Sequence, residues 1–222
     1  MSFQLTRTHT TVVLAATTIA ASLVVIPSLA EGNHATEDPF CASLTGADAR
    51  ITAEYNPLLA QYADAAAGNS AGNKADPERE AQLRKDLADA QAALEAADRV
   101  VLQFPMYWYS TPALLKQWED DVLLYGWAYG STGNALAGKE LLVAVSTGGP
   151  GEAYSHESSY GYTLTELLRP LQATANMVQM TYLAPFTTTG ILTITDEALA
   201  QRAEDYAATL QSTDLPVLEP RG

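Results

Sequence analysis

The stretch Val100-Val101-Leu102-Gln103-Phe104-Pro105-Met106-Tyr107-Trp108-Tyr109-Ser110-Thr111-Pro112 changes character part-way along. Val100 to Phe104 form a short apolar run rich in β-branched residues, which suits a central strand buried on both faces. Three consecutive aromatics between two prolines follow. Thr111-Pro112 then opens a helix whose apolar side is Leu114, Leu115, Trp118, Val122 and Leu123. The order repeats downstream, where Leu141-Leu142-Val143-Ala144-Val145 reads as a second buried strand. It ends in Ser146-Thr147-Gly148-Gly149-Pro150-Gly151, a loop whose glycines and proline fit neither helix nor strand.

Upstream of these strands, Asp76-Pro77 is a capping side chain followed by proline at the first helical position. Leu83, Leu87, Ala90 and Leu94 then recur on one face, and the helix is expected to stop near Asp98. Downstream, Thr163 and Glu166 form a capping box for a helix running toward Met177, with a kink expected at Pro170. Residues 180–183 and 186–194 supply the last strand material, and Asp196 is expected to cap an amphipathic helix through about Leu210. Strands alternating with helices of this length imply an α/β chain with a parallel sheet covered on both faces. Ligands of such sheets sit outside the carboxyl ends of the strands, which singles out the loops after Phe104 and Val145.

A chain of 222 residues fits one domain over residues 1–222, and 47% hydrophobic against 17% charged residues is globular composition. Acidic residues outnumber basic ones by 26 to 12, so a net charge of −14 repels nucleic acid and anionic membranes. An anionic cofactor must therefore be held by local dipoles and backbone N–H groups. Cys41 is the single cysteine, which excludes an intramolecular disulfide and a cysteine-based zinc or redox pair. No metal site is read from the sequence. Residues 64–75 form a low-complexity stretch expected to be a flexible insertion.

The N-terminus has two readings. Val12 to Val25 is apolar, follows Arg7 and leads to Ser28-Leu29-Ala30, as in a cleaved secretory signal over residues 1–30. The same segment divides into a β-branched run from Thr10 to Leu14, a Thr/Ala/Ser stretch and a second apolar run from Leu23 to Ile26. That is how a first strand, a phosphate loop and a first helix also read. Pro27 and Glu31 cut the apolar stretch below the roughly 20 residues a membrane span needs. With its N-terminus retained, the chain is expected in the cytoplasm; with residues 1–30 removed, it is exported.

The aromatic faces of Tyr107, Trp108 and Tyr109, with backbone amides beside them, suit a planar ligand such as an isoalloxazine ring. The alternative is that these rings only cap the core. Three glycines between Thr147 and Gly151 let a ligand approach the backbone closely, although a Gly-rich turn is often no more than a turn.

Gln103 through Lys116 strongly resembles the NAD(P)H:quinone oxidoreductase family. Tyr125-Gly126-Trp127-Ala128-Tyr129-Gly130, Leu136-Ala137-Gly138-Lys139, Thr147-Gly148-Gly149 with Tyr154, and Arg169-Pro170-Leu171-Gln172-Ala173-Thr174-Ala175 look like its bacterial branch. That branch includes flavoprotein ancillary subunits of glutathione-gated potassium efflux systems. The resemblance covers about residues 94 to 210. It implies a flavodoxin-like, doubly wound, five-stranded parallel sheet of order 2-1-3-4-5, a homodimer, and bound FMN or FAD with NAD(P)H as electron donor. Carried over by residue, Pro105, Met106, Tyr107, Trp108 and Tyr109 line the isoalloxazine, while Thr147, Gly148, Gly149 and Tyr154 hold its pyrimidine edge. Tyr129 matches a tyrosine that covers the partner subunit's site. The implied activity is ping-pong, with two electrons passing from NAD(P)H through the flavin to a quinone-like acceptor.

The chain departs from that pattern in two places. Mammalian relatives carry a histidine six residues after the pocket tyrosine; here that position is Tyr160, and His156 lies four residues earlier, so Tyr154, Tyr160 and His156 are all candidate donors. The first loop usually reads Ala-His-Pro or Ala-His-Ser, whereas this chain has Ala15-Ala16-Thr17. Thr17, Thr18 and Ser22 are then the hydroxyls expected to meet a phosphate at a helix N-terminus. The same resemblance leaves a second function open, that of a regulatory subunit docked on a potassium efflux transporter.

Overall fold

The computed structural model describes residues 11–17, 20–26 and 77–219. Strands β1 (Thr11–Thr17) and β2 (Ala20–Ile26) precede helix α1 (Pro77–Ala96) and the central strand β3 (Arg99–Pro105). Helix α2 (Ala113–Val122), strand β4 (Glu140–Ser146), a 3₁₀ turn at Gly151–Ala153, and helices α3 (Leu164–Leu167) and α4 (Arg169–Met177) come next. Two short strands, β5 (Thr181–Tyr182) and β6 (Phe186–Thr188), lead to helix α5 (Asp196–Gln211).

The sheet order is β2-β1-β3-β4-β5, and β6 also pairs with β4. β1, β3 and β4 run parallel in continuous register, from Thr11 beside Arg99 beside Glu140 to Pro105 beside Ser146. β5 and β6 together form the edge: Thr181 pairs with Glu140 and Phe186 with Ala144. Pro185 falls in the gap between them, where a residue without an N–H interrupts the ladder.

This sheet departs from the expected five parallel strands in two respects. It has β6 as an extra strand, and β2 lies antiparallel to β1, Thr17 opposite Ala20 through Thr11 opposite Ile26. The helix expected after the first strand is thus corrected to a strand. The segment closes in Val24, Val25 and Ile26, whose branched side chains lose χ1 freedom in a helix, and Pro27 cannot sit in a helix interior. Cys41 and the insertion at 64–75 lie outside the described residues.

Downstream of Pro77 the elements match the sequence pattern, except that the strand expected over residues 186–194 stops at Thr188 and residues 189–195 form a loop. The break expected at Pro170 is a division into α3 and α4 at Leu168, whose φ of −92° and ψ of 0° leave the helical path. The last helix is capped by Thr195, whose hydroxyl accepts from the Ala198 N–H; Asp196, the expected cap, is instead its first residue. An acid in the first turn still complements the helix dipole.

Both sheet faces are covered. Val100, Leu102, Phe104, Leu141, Val143 and Val145 pack against Leu94, Leu115, Val122, Leu168, Leu171 and Ala175 of α1–α4. Val101, Leu142, Ala144 and Leu183 face Tyr206 and Leu210 of α5. The polar side chain on that second face, Gln103, is satisfied because its Oε1 accepts from the Tyr206 hydroxyl at 2.8 Å. Burial pushes the Tyr206 phenol above its usual range.

Charged side chains close the amino ends of the central strands. Arg99 is 2% exposed; its Nε donates to Glu140 Oε2 at 2.7 Å and its Nη1 to the carbonyl of Leu210 at 3.3 Å, at the end of α5. Lys139 Nζ donates to the carbonyls of Glu95 and Ala97 at 2.7 and 2.6 Å, capping α1. Within α2, Glu119 is buried, and its Oε1 has no hydrogen-bond partner among the described residues. Burial raises its carboxyl to about 7, against a smaller opposing pull from Lys116.

Candidate active site

The loops after β3 and β4 meet at the carboxyl edge of the sheet. The Met106 N–H donates to the Ser146 carbonyl at 2.8 Å, extending the β3–β4 pairing one step past the strands. Tyr107 and Ser110 then exchange both backbone hydrogen bonds, at 3.1 and 3.0 Å, and close a tight turn. Its middle residues Trp108 and Tyr109 take φ of +48° and +63°. Two bulky residues in the left-handed region are costly, and such backbone persists where the surroundings hold it. The turn leaves Trp108 95% exposed.

The second loop is anchored from below. Thr147 is buried; its N–H donates to the Thr188 carbonyl at 2.9 Å, and its hydroxyl to the Gly149 carbonyl at 2.9 Å. Gly149 also accepts from the Gly190 N–H at 2.8 Å. These contacts use the carbonyls of the loop. Among the described residues, no backbone carbonyl accepts from the amides of Trp108, Tyr109, Gly148 or Gly149.

A third segment covers this point. A Cβ placed on Gly149 would lie 3.2 Å from the Tyr160 hydroxyl and 3.5 Å from the Tyr154 hydroxyl. The Tyr154 and Tyr160 rings meet edge to face at 5.3 Å, and Tyr160 meets Tyr109 in the same way at 5.8 Å. The structure therefore joins the aromatic loop, the glycine loop and both candidate tyrosines in one cluster. A Cβ on Gly148 would touch Leu192 at 3.3 Å, so the exposed Leu192 forms another wall.

His156 stands apart from the phenols. Its Nε2 lies 2.7 Å from Glu166 Oε2, which also accepts from the Thr163 N–H and hydroxyl, both at 2.9 Å. The Thr163 N–H, then His156, then the Thr163 hydroxyl hold the Glu166 carboxyl down at about 2. Tyr129 lies elsewhere as well. It packs edge to face on Tyr125 at 5.7 Å and lines a cleft of about 370 Å³ between α2 and α4, with Leu123, Leu168 and Leu171.

The expected phosphate loop changes most. Thr17 ends β1 beyond Ala15, the partner of Gln103, and so stands at the same edge of the sheet as the two loops. Ser22 lies within β2 opposite Ala15, and Thr18 falls outside the described residues. The helix N-terminus that was to hold a phosphate is a strand, so the dipole expected there is removed. Two contacts lacked a sequence signal: Leu192 beside Gly148, and Glu166 beside His156. Each depends on where a distant loop lands.

The pattern of a family described as having a flavodoxin-like fold matches residues 23–210. The chain belongs to the flavodoxin-like family. Family members that it resembles include the uncharacterized NAD(P)H oxidoreductase YrkL of Bacillus subtilis strain 168, 50% identical over 124 residues, or 54% of this chain and 71% of YrkL. The glutathione-regulated potassium-efflux system ancillary protein KefF of Enterobacter sp. strain 638 is 47% identical over 56% of this chain and 70% of its own.

Three solved structures show the same fold. A protein of Streptomycin violaceusniger described as a thermophilic tryptophan halogenase is 42% identical, with a TM-score of 0.57 over 69% of this chain and 91% of that one. An NADPH-quinone reductase from P. pentosaceus is 38% identical, with a TM-score of 0.55 over 58% and 76% of the two chains. General stress protein 14 of Treponema denticola, solved in complex with FMN, is 44% identical, with a TM-score of 0.51 over 56% and 71%.

Proposed function

We propose that the chain is a flavin-dependent NAD(P)H oxidoreductase that passes two electrons to a quinone-like acceptor in two half-reactions. The observation that carries this reading is the cluster at Gly149, where the Tyr154 and Tyr160 hydroxyls stand beside a glycine loop whose Gly148 and Gly149 amides have no carbonyl partner among the described residues. FMN is the proposed cofactor, with FAD as the alternative. The resemblance to an FMN-bound protein, an NADPH-quinone reductase and an NAD(P)H oxidoreductase supports it.

The residues suit an isoalloxazine ring. Pro105, Met106, Tyr107, Trp108 and Tyr109 offer apolar surface along one side, and Gly148 and Gly149 present N–H groups without a Cβ in the way. When bound, the flavin supplies hydride acceptance from the nicotinamide and two-electron delivery to the acceptor. Tyr154 and Tyr160 place hydroxyls beside Gly149, where they would donate to negative charge gathering on the ring's polar edge or on the acceptor oxygen. Neither phenol has to be charged beforehand. Thr147 holds the loop in shape from beneath, and Thr17, with Thr18 and Ser22 nearby in sequence, is proposed to face the phosphate end.

The same reading makes the protein a cytoplasmic homodimer in which Tyr129 covers the partner subunit's site. Anaerobic stopped-flow mixing of the flavin-loaded protein with NADH or NADPH, followed by a benzoquinone, tests the activity. Flavin bleaching by the first and recovery by the second is the expected result, and no bleaching with either nucleotide rejects the reading.

A second reading rests on the similarity to KefF and makes the chain a regulatory subunit on a potassium efflux transporter. No helix among the described residues is long and apolar enough to cross a membrane. Co-purification with a transporter separates the two readings.

A further inference from the structure

The segment from Gly151 to Tyr162 carries both phenols, yet it contains little regular structure and packs few residues into the core. Its internal bonds centre on Ser158. The Ser158 hydroxyl donates to the carbonyls of Ser155, at 2.9 Å, and Ala153, and accepts from the Tyr160 N–H at 3.1 Å. The Gly161 N–H donates to the Ser158 carbonyl at 3.1 Å. These contacts shape the turn without fixing where it sits. From this turn, the His156 ring reaches α3, its Nε2 lying 2.7 Å from Glu166 Oε2.

Glu166 is a firm anchor. It is ionised throughout the neutral range and held by the backbone and hydroxyl of Thr163 at the start of α3, so it cannot follow a moving loop. His156 lies two residues beyond Tyr154 and four before Tyr160, so its contact adds a hydrogen bond to α3 between the two phenols that pack on Tyr109 and Gly149. The ring nitrogen engaged there is committed to a carboxylate and is not presented to the phenols.

We infer that His156 is a positioning residue: its contact with Glu166 fastens the tyrosine turn to α3 and so sets how close Tyr154 and Tyr160 stand to Gly149. This rests on the reading of Gly149 as the place of the flavin's polar edge. Hydroxyls 3.2 and 3.5 Å from a Cβ position have little room to drift before a hydrogen bond at that edge is lost. The pair is partly exposed, with side chains 56% and 24% accessible, so its loss moves affinity by roughly 2–5-fold rather than abolishing it.

The test is a double-mutant cycle of His156→Ala and Glu166→Gln, with His156→Gln as the conservative rescue. Gln at 166 keeps the capping box, so α3 survives. Amide exchange at Ser158 and Gly161 is followed in the flavin-free protein, and FMN affinity, kcat and KM in the loaded one. The expected result is faster exchange and 2–5-fold weaker FMN binding in His156→Ala, recovery in His156→Gln, and a double variant no worse than either single one. Wild-type exchange in His156→Ala overturns the inference, as do additive effects in the cycle. So does a variant that binds FMN normally but loses only the acceptor half-reaction, since that marks a proton donor. Failure of the wild-type protein to bind FMN would remove the functional reading, and the exchange arm would still decide the clamp.

Discussion

The two ends of the central strands are built to opposite specifications. At the amino ends, Arg99 bonds Glu140 and the last carbonyls of α5, and Lys139 takes those of α1, so free helix carbonyls are matched by buried or half-buried cations. At the carboxyl ends, amides at Trp108, Tyr109, Gly148 and Gly149 lack carbonyl partners among the described residues, and large aromatics face solvent. A closed end adds stability, while an open end holds binding capacity in reserve. That asymmetry, more than any one residue, supports placing the proposed site at the carboxyl end.

The first way to break the comparison is at the closed end. Arg99→Met removes the donor to Glu140 and to the α5 carbonyls. It is expected to destabilise the fold by about 3 kcal/mol, or roughly 6–12 °C in melting temperature, without changing flavin affinity per folded molecule. Calorimetry with flavin titration on the variant checks both halves. A weakened flavin site at unchanged stability would reverse the assignment of the two ends.

At the open end the expectation inverts. Gly149→Val puts methyl groups where a Cβ already lies 3.2 Å from the Tyr160 hydroxyl, and flavin affinity is expected to drop by on the order of 10–100-fold. The clash falls on partly exposed side chains outside the core, so the melting temperature should stay near wild type. Flavin fluorescence quenching measures the first quantity and a thermal melt the second.

Smaller effects separate the phenols. Tyr154→Phe is expected to slow one half-reaction by about 10–100-fold, because a preorganised donor to developing charge is lost. Tyr160 is more exposed and is held by two edge contacts, so Tyr160→Phe should cost only about 2–5-fold. Stopped-flow traces of the two half-reactions assign each hydroxyl to its step, and unchanged rates in the double variant would leave the backbone amides to act alone.

These residues also show what the sequence could and could not disclose. From Pro77 onward, apolar periodicity alternating with β-branched runs marked almost every helix and strand, because amphipathic period is a local property. The aromatic loop and the glycine loop stood out by composition, and the parallel sheet then required both to open at one edge. The small-residue segment around Ala20 was different. It carries neither a clear helical stripe nor a clean alternation, so pairing with β1 and the branched residues Val24 to Ile26 decided it together. The Tyr109–Tyr160 contact and the His156–Glu166 contact join loops far apart in the chain and leave no periodic trace. The helix expected over the segment around Ala20 is strand β2, because a short apolar run reads equally well as either element.

The smallest expected effect concerns a site between the two ends. Burial holds the Glu119 carboxyl at about 7 against 4.5 in the unfolded chain, so the folded state binds its proton more tightly. The stability this contributes is complete below pH 4.5 and is lost as pH rises through about 7. Glu119→Gln should therefore melt close to wild type at pH 4.5 and progressively above it toward pH 8. Equal melting curves at every pH would mean that the carboxyl finds a partner in solution.

Titration of the purified, flavin-free protein with FMN, and separately with FAD, tests the central claim most directly. The account predicts saturable binding of at least one of them, with quenched flavin fluorescence, strong weakening in Gly149→Val and none in Arg99→Met. A folded wild-type protein that quenches neither flavin would contradict it and leave the open edge of the sheet without its proposed ligand.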